Sequence, residues 1–245
     1  MKAIITFHSV DNNGSVLSYP VNSFALLLKR LRDLEMPVLS LHDLLDTNVS
    51  KGVAITFDDG MQSVFKSALP VLKEYKAPAH VFVTTNAVNS DKMWPYDDRY
   101  GEFDMLGWDE IGALNDAGIY IDAHTRTHPD MRTISPGQLE DECHSADEII
   151  EGYVGKKPEY FAYPFGYHNQ RVRAYTGGHY SASVTTELRM LGDNEDSSAL
   201  PRLDSFYFQS ENAINNLFSW KFNQYIKTRW LLRRIKGSQC NPACQ

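Results

Sequence analysis

Cysteine is scarce in this chain and does not form a framework. Among 245 residues there are three, Cys143, Cys240 and Cys244. Two of them fall in the last six positions, and a C-x-x-x-C pair without a second pair is a weak metal or disulfide signal. A disulfide-stapled scaffold is therefore excluded. No run of 18 apolar residues occurs, which excludes a helical membrane span. The first apolar stretch, Ile4 to Phe7, is too short for a secretory leader and no small-residue cleavage site follows. The expectation for the chain as given is a cytoplasmic protein. Internal repeats and low-complexity tracts are also missing. Acidic residues stop at Glu211, beyond which six cations (Lys221, Lys227, Arg229, Arg233, Arg234 and Lys236) stand unopposed. The tail is thus +6 and the rest −13, within a whole-chain charge of −7. That acidic bulk argues against nucleic acid as a partner.

What is present is enough for a core: 42% hydrophobic and 12% aromatic residues, in a length that suits one large α/β domain. Apolar runs read as strands at Ile4–Phe7, Val38–Leu39, Val53–Phe57, Ala79–Thr84, Ile119–Ala123, Tyr160–Tyr163, Ser181–Thr185 and Arg202–Phe208. Between them lie helical patterns. One follows Ser23 as N-cap and is stopped by Pro37, one runs from about Gln62 to Tyr75 with Pro70 interrupting or restarting it, and one runs from Trp108 to Ala117, closed by Gly118. Ser135-Pro136 opens another, and Asn169 to Tyr175 a further one. Strand–helix alternation predicts a parallel sheet, closed or nearly closed into a barrel at this length. Residues 1–210 read as that domain, and 211–245 as a basic, aromatic helix and tail.

The chain is organised around Val53-Ala54-Ile55-Thr56-Phe57-Asp58-Asp59-Gly60. A run apolar on both faces is a buried parallel strand, so Asp58 and Asp59 fall at its C-terminal end, where α/β folds place their chemistry. Two adjoining carboxylates there repel and lose solvation, so a cation should sit beside them. A second strand runs into His124-Thr125-Arg126-Thr127-His128, and histidines four apart can meet on one ion. With Asp59 they make a His₂Asp set that leaves a position open for water or substrate. That suits a catalytic divalent metal, zinc foremost, with cobalt, nickel or manganese also compatible. A solvated Asp-Asp-Gly turn and two unrelated loop histidines are the ordinary alternatives to each motif alone.

TFDDG, then HTRTH, then Phe161-Ala162-Tyr163-Pro164-Phe165-Gly166, in this order, resembles the polysaccharide deacetylases of carbohydrate esterase family 4, the NodB-homology domain. The resemblance runs from about residue 2 to residue 208. It implies a distorted (β/α)7-type barrel and metal-dependent removal of acetyl groups from N-acetylated sugars. It further implies Asp58 as the general base, Asp59, His124 and His128 as metal ligands, and the Phe165 N–H as an oxyanion donor. The arginine that many members carry in the third motif is replaced in that region by Ala162, and Arg202 is the candidate to supply the cation instead. The late histidine motif is missing too. Ile5-Thr6-Phe7-His8-Ser9-Val10 is similar to the first element of the circularly permuted poly-N-acetylglucosamine deacetylases, which implies His8 as the general acid.

Tyr163, with Pro164 beside it, and Trp94 are candidates to contact sugar rings, while His80, inside an apolar strand, reads as a hydrogen-bonded core residue. The partner expected is an N-acetylated saccharide, with a peripheral membrane or protein contact through the C-terminal helix as a second expectation. Hydrolysis of a non-sugar amide and non-catalytic saccharide binding are the rival functions.

Overall fold

The computed structural model of the chain describes residues 1–90 and 103–240, with side chains described as far as Ile235. Trp94 lies outside the described residues. In chain order the elements are β1 (Lys2–Phe7), a short parallel pair β2 (Ser9–Val10) and β3 (Ser18–Tyr19), α1 (Val21–Asp33), α2 (Leu41–Leu45) and β4 (Gly52–Phe57). They continue with α3 (Leu69–Tyr75), β5 (His80–Val83), α4 (Trp108–Asp116), β6 (Tyr120–Ala123), α5 (Pro136–Val154) and β7 (Tyr160–Ala162). The last are α6 (Gln170–His179), β8 (Ala182–Val184), β9 (Leu203–Asp204), α7 (Glu211–Asn215) and α8 (Trp220–Cys240).

Seven strands form one parallel sheet in the order β8-β7-β6-β5-β4-β1-β9. Its two edges are tied by a single segment. Leu200 N–H donates to Ser183 O and Thr185 N–H donates to Leu200 O, each at 2.8 Å, and three residues later Leu203 pairs with Ile5 of β1. The sheet therefore curls into the expected distorted barrel, joined through Leu200–Asp204 rather than by a full-length strand. The strand expected over Arg202–Phe208 is only two residues long, because the Asp204 side chain accepts from Phe206 N–H and turns the chain into a 3₁₀ turn, Ser205–Phe208.

Strand alternation divides the core into two layers. Ile5, Phe7, Val53, Ile55, Val81, Val83, Ile121 and Phe161 pack against the helices, while Ile4, Ala54, Phe82, Tyr160, Ala162, Ala182 and Val184 fill the barrel with Leu200. The same period of two carries Thr6 on to His8, Thr56 to Asp58 and Asp122 to His124, so these side chains continue the inward rows beyond the strand ends.

Helix ends differ from expectation in two places, at α1 and in the final helix, while the interruption expected at Pro70 is present. The N-cap of α1 is Pro20 rather than Ser23, whose hydroxyl instead donates to Gln209 O. The pattern across Pro70 splits into one π-helical turn, Val64–Ala68, followed by α3, with the proline in the first turn where no N–H is needed. The final helix breaks into α7 and α8 around Phe218, which adopts φ +63°. Ile214, Leu217, Phe222 and Ile226 from this region join the main core, each contributing about 1.5–3 kcal/mol of burial free energy. No helix among the described residues is long and apolar enough to cross a membrane.

Candidate metal and catalytic centre

The centre is built where β1, β4 and β6 end. Asp58 N–H still donates to Phe7 O at 2.9 Å, extending the β1–β4 pairing by one residue. The chain then turns through two left-handed residues, Asp59 at φ +73° and Gly60 at φ +84°, which separates the two carboxylates. Asp58 faces into the barrel and Asp59 faces the histidines. The loop after β6 is steered by β5, since Thr85 and Asn86 N–H donate to Thr125 and Arg126 O.

His124 Nε2 lies 3.3 Å and His128 Nε2 3.7 Å from the same oxygen, Asp59 Oδ1. The three candidate ligand atoms all fall within 4.8 Å of one another, and all three residues are buried. His124 Nδ1–H donates to Ala162 O at 2.7 Å, which fixes the tautomer and aims the other nitrogen at Asp59. One carboxylate oxygen and two imidazole nitrogens converging on a common point are a donor set that fits a divalent ion such as zinc. Burial raises the Asp59 carboxyl, but the His124 hydrogen bond and the neighbouring imidazoles hold it well below the usual carboxylate range. Burial, reinforced by His124, pushes the His128 imidazole down to about 3, so its ring is neutral, as a metal ligand must be.

Asp58 is held by Arg202, which comes from the segment that joins the barrel's edges. The guanidinium is completely buried and grips both carboxylate oxygens, Nη1 to Oδ1 at 2.7 Å and Nη2 to Oδ2 at 2.6 Å. Nη1 also donates to Thr56 Oγ1 at 3.2 Å, and Nε donates to Thr185 O at 2.8 Å. Burial raises the Asp58 carboxyl, but this cation outweighs it and keeps the group below its ordinary value. His8 is half-buried and directly follows β1, the strand paired with β4, so it stands at the same end of the sheet as Asp58.

Phe165 lies across the site from β4, in a turn where it adopts φ +59°, with its ring 4.4 Å from that of His128. The next residue, Gly166, also has positive φ, and a Cβ there would come within 2.1 Å of Thr186 Oγ1, so only glycine fits. Eight non-glycine residues among those described have positive φ, and four of them, Asp59, Thr125, His128 and Phe165, are at this centre. Such strain concentrated in one place marks a functional site.

Tyr163 and Pro164 are not at the rim. The Tyr163 ring is 1% exposed on the helix side, and its hydroxyl joins Thr176 Oγ1 at 2.6 Å and Ser198 O at 2.7 Å. Pro164 is buried within its turn. The reason is parity: Phe161 and Tyr163 share the outward face, while Ala162 faces the barrel. His80 is the core residue expected, donating from Nδ1 to Asp122 at 2.7 Å and accepting Leu41 N–H at Nε2.

Glu142 was not anticipated. From α5, this buried carboxylate accepts Arg126 N–H and Thr127 N–H at Oε2 and the Thr127 hydroxyl at Oε1, at 2.7–3.1 Å. It is the anchor of the His124–His128 loop. A lone glutamate on a long helix carries no local signal of that role.

The polysaccharide deacetylase family model matches residues 46–180, more than half of the chain. The chain belongs to the polysaccharide deacetylase family. The Bacillus subtilis deacetylase-family protein YxkH is 27% identical over 207 residues, 82% of this chain and 70% of that protein. The poly-beta-1,6-N-acetyl-D-glucosamine N-deacetylase of Staphylococcus epidermidis is 23% identical over 165 residues, 62% of this chain. The chain spans only 54% of that relative's length. IcaB from Ammonifex degensii superposes with a TM-score of 0.72 over 87% of this chain and 97% of its own, at 23% identity, a likeness of fold. The matched segment of the family model holds Asp58, Asp59, His124, His128 and Phe165, whereas His8 and Arg202 lie outside it.

Proposed function

We propose that the protein hydrolyses the N-acetyl amide of an N-acetylated saccharide, of the N-acetylglucosamine polymer type that its staphylococcal relatives' names record. The observation that carries this reading is the juxtaposition of a clamped carboxylate, Asp58, with the convergent Asp59–His124–His128 set.

A divalent ion held by Asp59, His124 and His128 would, when bound, supply Lewis-acid polarisation of the amide carbonyl and make water more acidic. Asp58 takes the proton from the attacking water, and its two contacts to Arg202 keep it ionised and fix the plane of its carboxylate. The backbone N–H of Phe165, whose turn lies against His128, serves as hydrogen-bond donor to the oxygen that gains negative charge. His8 donates a proton to the amine as the carbon–nitrogen bond breaks. The balance is one water consumed, with acetate and a free amine formed.

The test is acetate release from N-acetylglucosamine oligomers by metal-reconstituted protein. Asp58→Asn and His8→Ala should each lower kcat about 10²–10⁴-fold, the usual contribution of a positioned base or acid. Full metal occupancy with no release would reject the saccharide substrate, and failure to bind a divalent ion would reject the whole assignment.

A further inference from the structure

The outward side of α8 has no role in the deacetylase reading. Its inner side is well used: Phe222 and Ile226 are buried in the core, and Arg229 and Arg233 stack over the Tyr207 ring at 5.0 and 4.9 Å. Arg233 also pairs with Asp204 at 2.7 Å and donates to Thr186 O, while Trp230 Nε1–H reaches Glu187. The helix is therefore fixed to the loop that flanks the Phe165 turn and holds Arg202 through Thr185 O and Glu187 O.

On the other side, Trp220 is 73% exposed, and Leu231, Leu232 and Tyr225 are 52%, 44% and 44% exposed. Helical geometry places them in two adjacent rows. One holds Trp220, Lys227, Leu231 and Arg234, the other Lys221, Tyr225 and Leu232, and every one of these seven is exposed. Cations and large apolar groups thus interleave on a strip about 17 Å long from Trp220 to Leu231. No acid occurs anywhere in this part of the chain, whereas the remainder is strongly acidic.

We infer that this face of α8 seats the protein on an anionic lipid surface. Lysine and arginine bury their stems at a headgroup layer while keeping their charge in water, and tryptophan, tyrosine and leucine occupy the acyl boundary beneath. The charge is complementary only to an anionic surface, and the acidic bulk is repelled from it, so the strip also orients the molecule. Because Trp230 and Arg233 tie α8 to Thr186 and Glu187, the lipid surface lies beside the catalytic rim. The inference needs no particular substrate, so it stands or falls separately from the deacetylase reading.

The test is co-sedimentation of the full, metal-loaded chain with phosphatidylcholine vesicles, with and without phosphatidylglycerol, at low and high salt. Binding is expected only with phosphatidylglycerol, weakening as salt rises. Lys227→Gln and Arg234→Gln should each weaken it roughly five-fold, as expected per cation near such a surface. Leu231→Ser, a change at an exposed position, should abolish it while the thermal melt stays as in the parent. No binding, or equal binding to neutral vesicles, would overturn the inference. So would a dimer in solution that Leu231→Ser converts to monomer, since a second copy would then own the face.

Discussion

Replacing Arg202 by methionine is the sharpest test of how this site is held. The guanidinium makes four hydrogen bonds, to both Asp58 oxygens, Thr56 Oγ1 and Thr185 O, in a place with no access to water. Methionine preserves much of the volume but leaves a buried carboxylate without the guanidinium that pairs with it. Removing one partner of a buried pair costs about 3–5 kcal/mol. At about 2–4 °C per kcal/mol for a chain of this size, Tm should fall by roughly 6–20 °C. The loss should be recovered in large part by Arg202→Met with Asp58→Asn, because the double variant removes both charges and a neutral pair is cheap to bury. Urea titration of the four metal-saturated proteins closes the double-mutant cycle, and a coupling of at least about 2 kcal/mol is expected for contacting buried partners. Equal destabilisation in the single and double variants would show that Arg202 acts through Thr56 and Thr185 alone. The account of Asp58 as a carboxylate held ionised by Arg202 would then be wrong.

Three further outcomes follow from the same contacts. Glu142→Gln should weaken divalent-metal affinity about 10–100-fold by calorimetric titration of the apo protein, the usual effect of losing support behind metal ligands, and unchanged affinity would refute its anchoring role. Tyr163→Phe should cost about 1–3 kcal/mol of stability, through the unpaired partners Thr176 and Ser198 O, and leave KM for the saccharide unchanged; a raised KM would return Tyr163 to the substrate. Burial, with Asp147 adding to it, pushes the Cys143 thiol up to about 12, so at pH 8 only about one thiol in ten thousand is reactive. Alkylation of Cys143, followed by mass spectrometry, should be negligible at pH 8 in the folded protein and become fast once denaturant unfolds the chain; rapid labelling of the folded protein at pH 8 would refute the buried-thiol account.

The candidate site residues that sequence reasoning reached are those encoded by strand ends. Asp58, Asp59, His124 and His128 each follow an apolar run directly, and the run announces both the strand and the end at which it stops. His8 was reachable for the same reason, through a resemblance of its first strand. Arg202 was reachable only as the candidate to replace the arginine that orients the base, with no local signal, because its contact with Asp58 spans 144 residues and exists only once Leu200–Asp204 joins the sheet's edges. Tyr163 was misjudged although its parity was readable: counting by twos from Tyr160 puts Ala162, not Tyr163, on the barrel side. The break at Phe218 and the two-residue β9 escaped notice because apolar composition continues through both.

What the sequence determined by itself is local and periodic: the alternating elements, the parallel sheet, and carboxylates and imidazoles at the ends of their strands. These depend on neighbours within a few residues, where period and turn chemistry act. Only the tertiary structure decided which charge faces which. It placed Arg202 across Asp58, made Glu142 the anchor of the histidine loop, and set four left-handed residues around one centre. Those contacts join distant segments, and the strain they hold is sustained by packing around the whole barrel rather than by any residue's own preference.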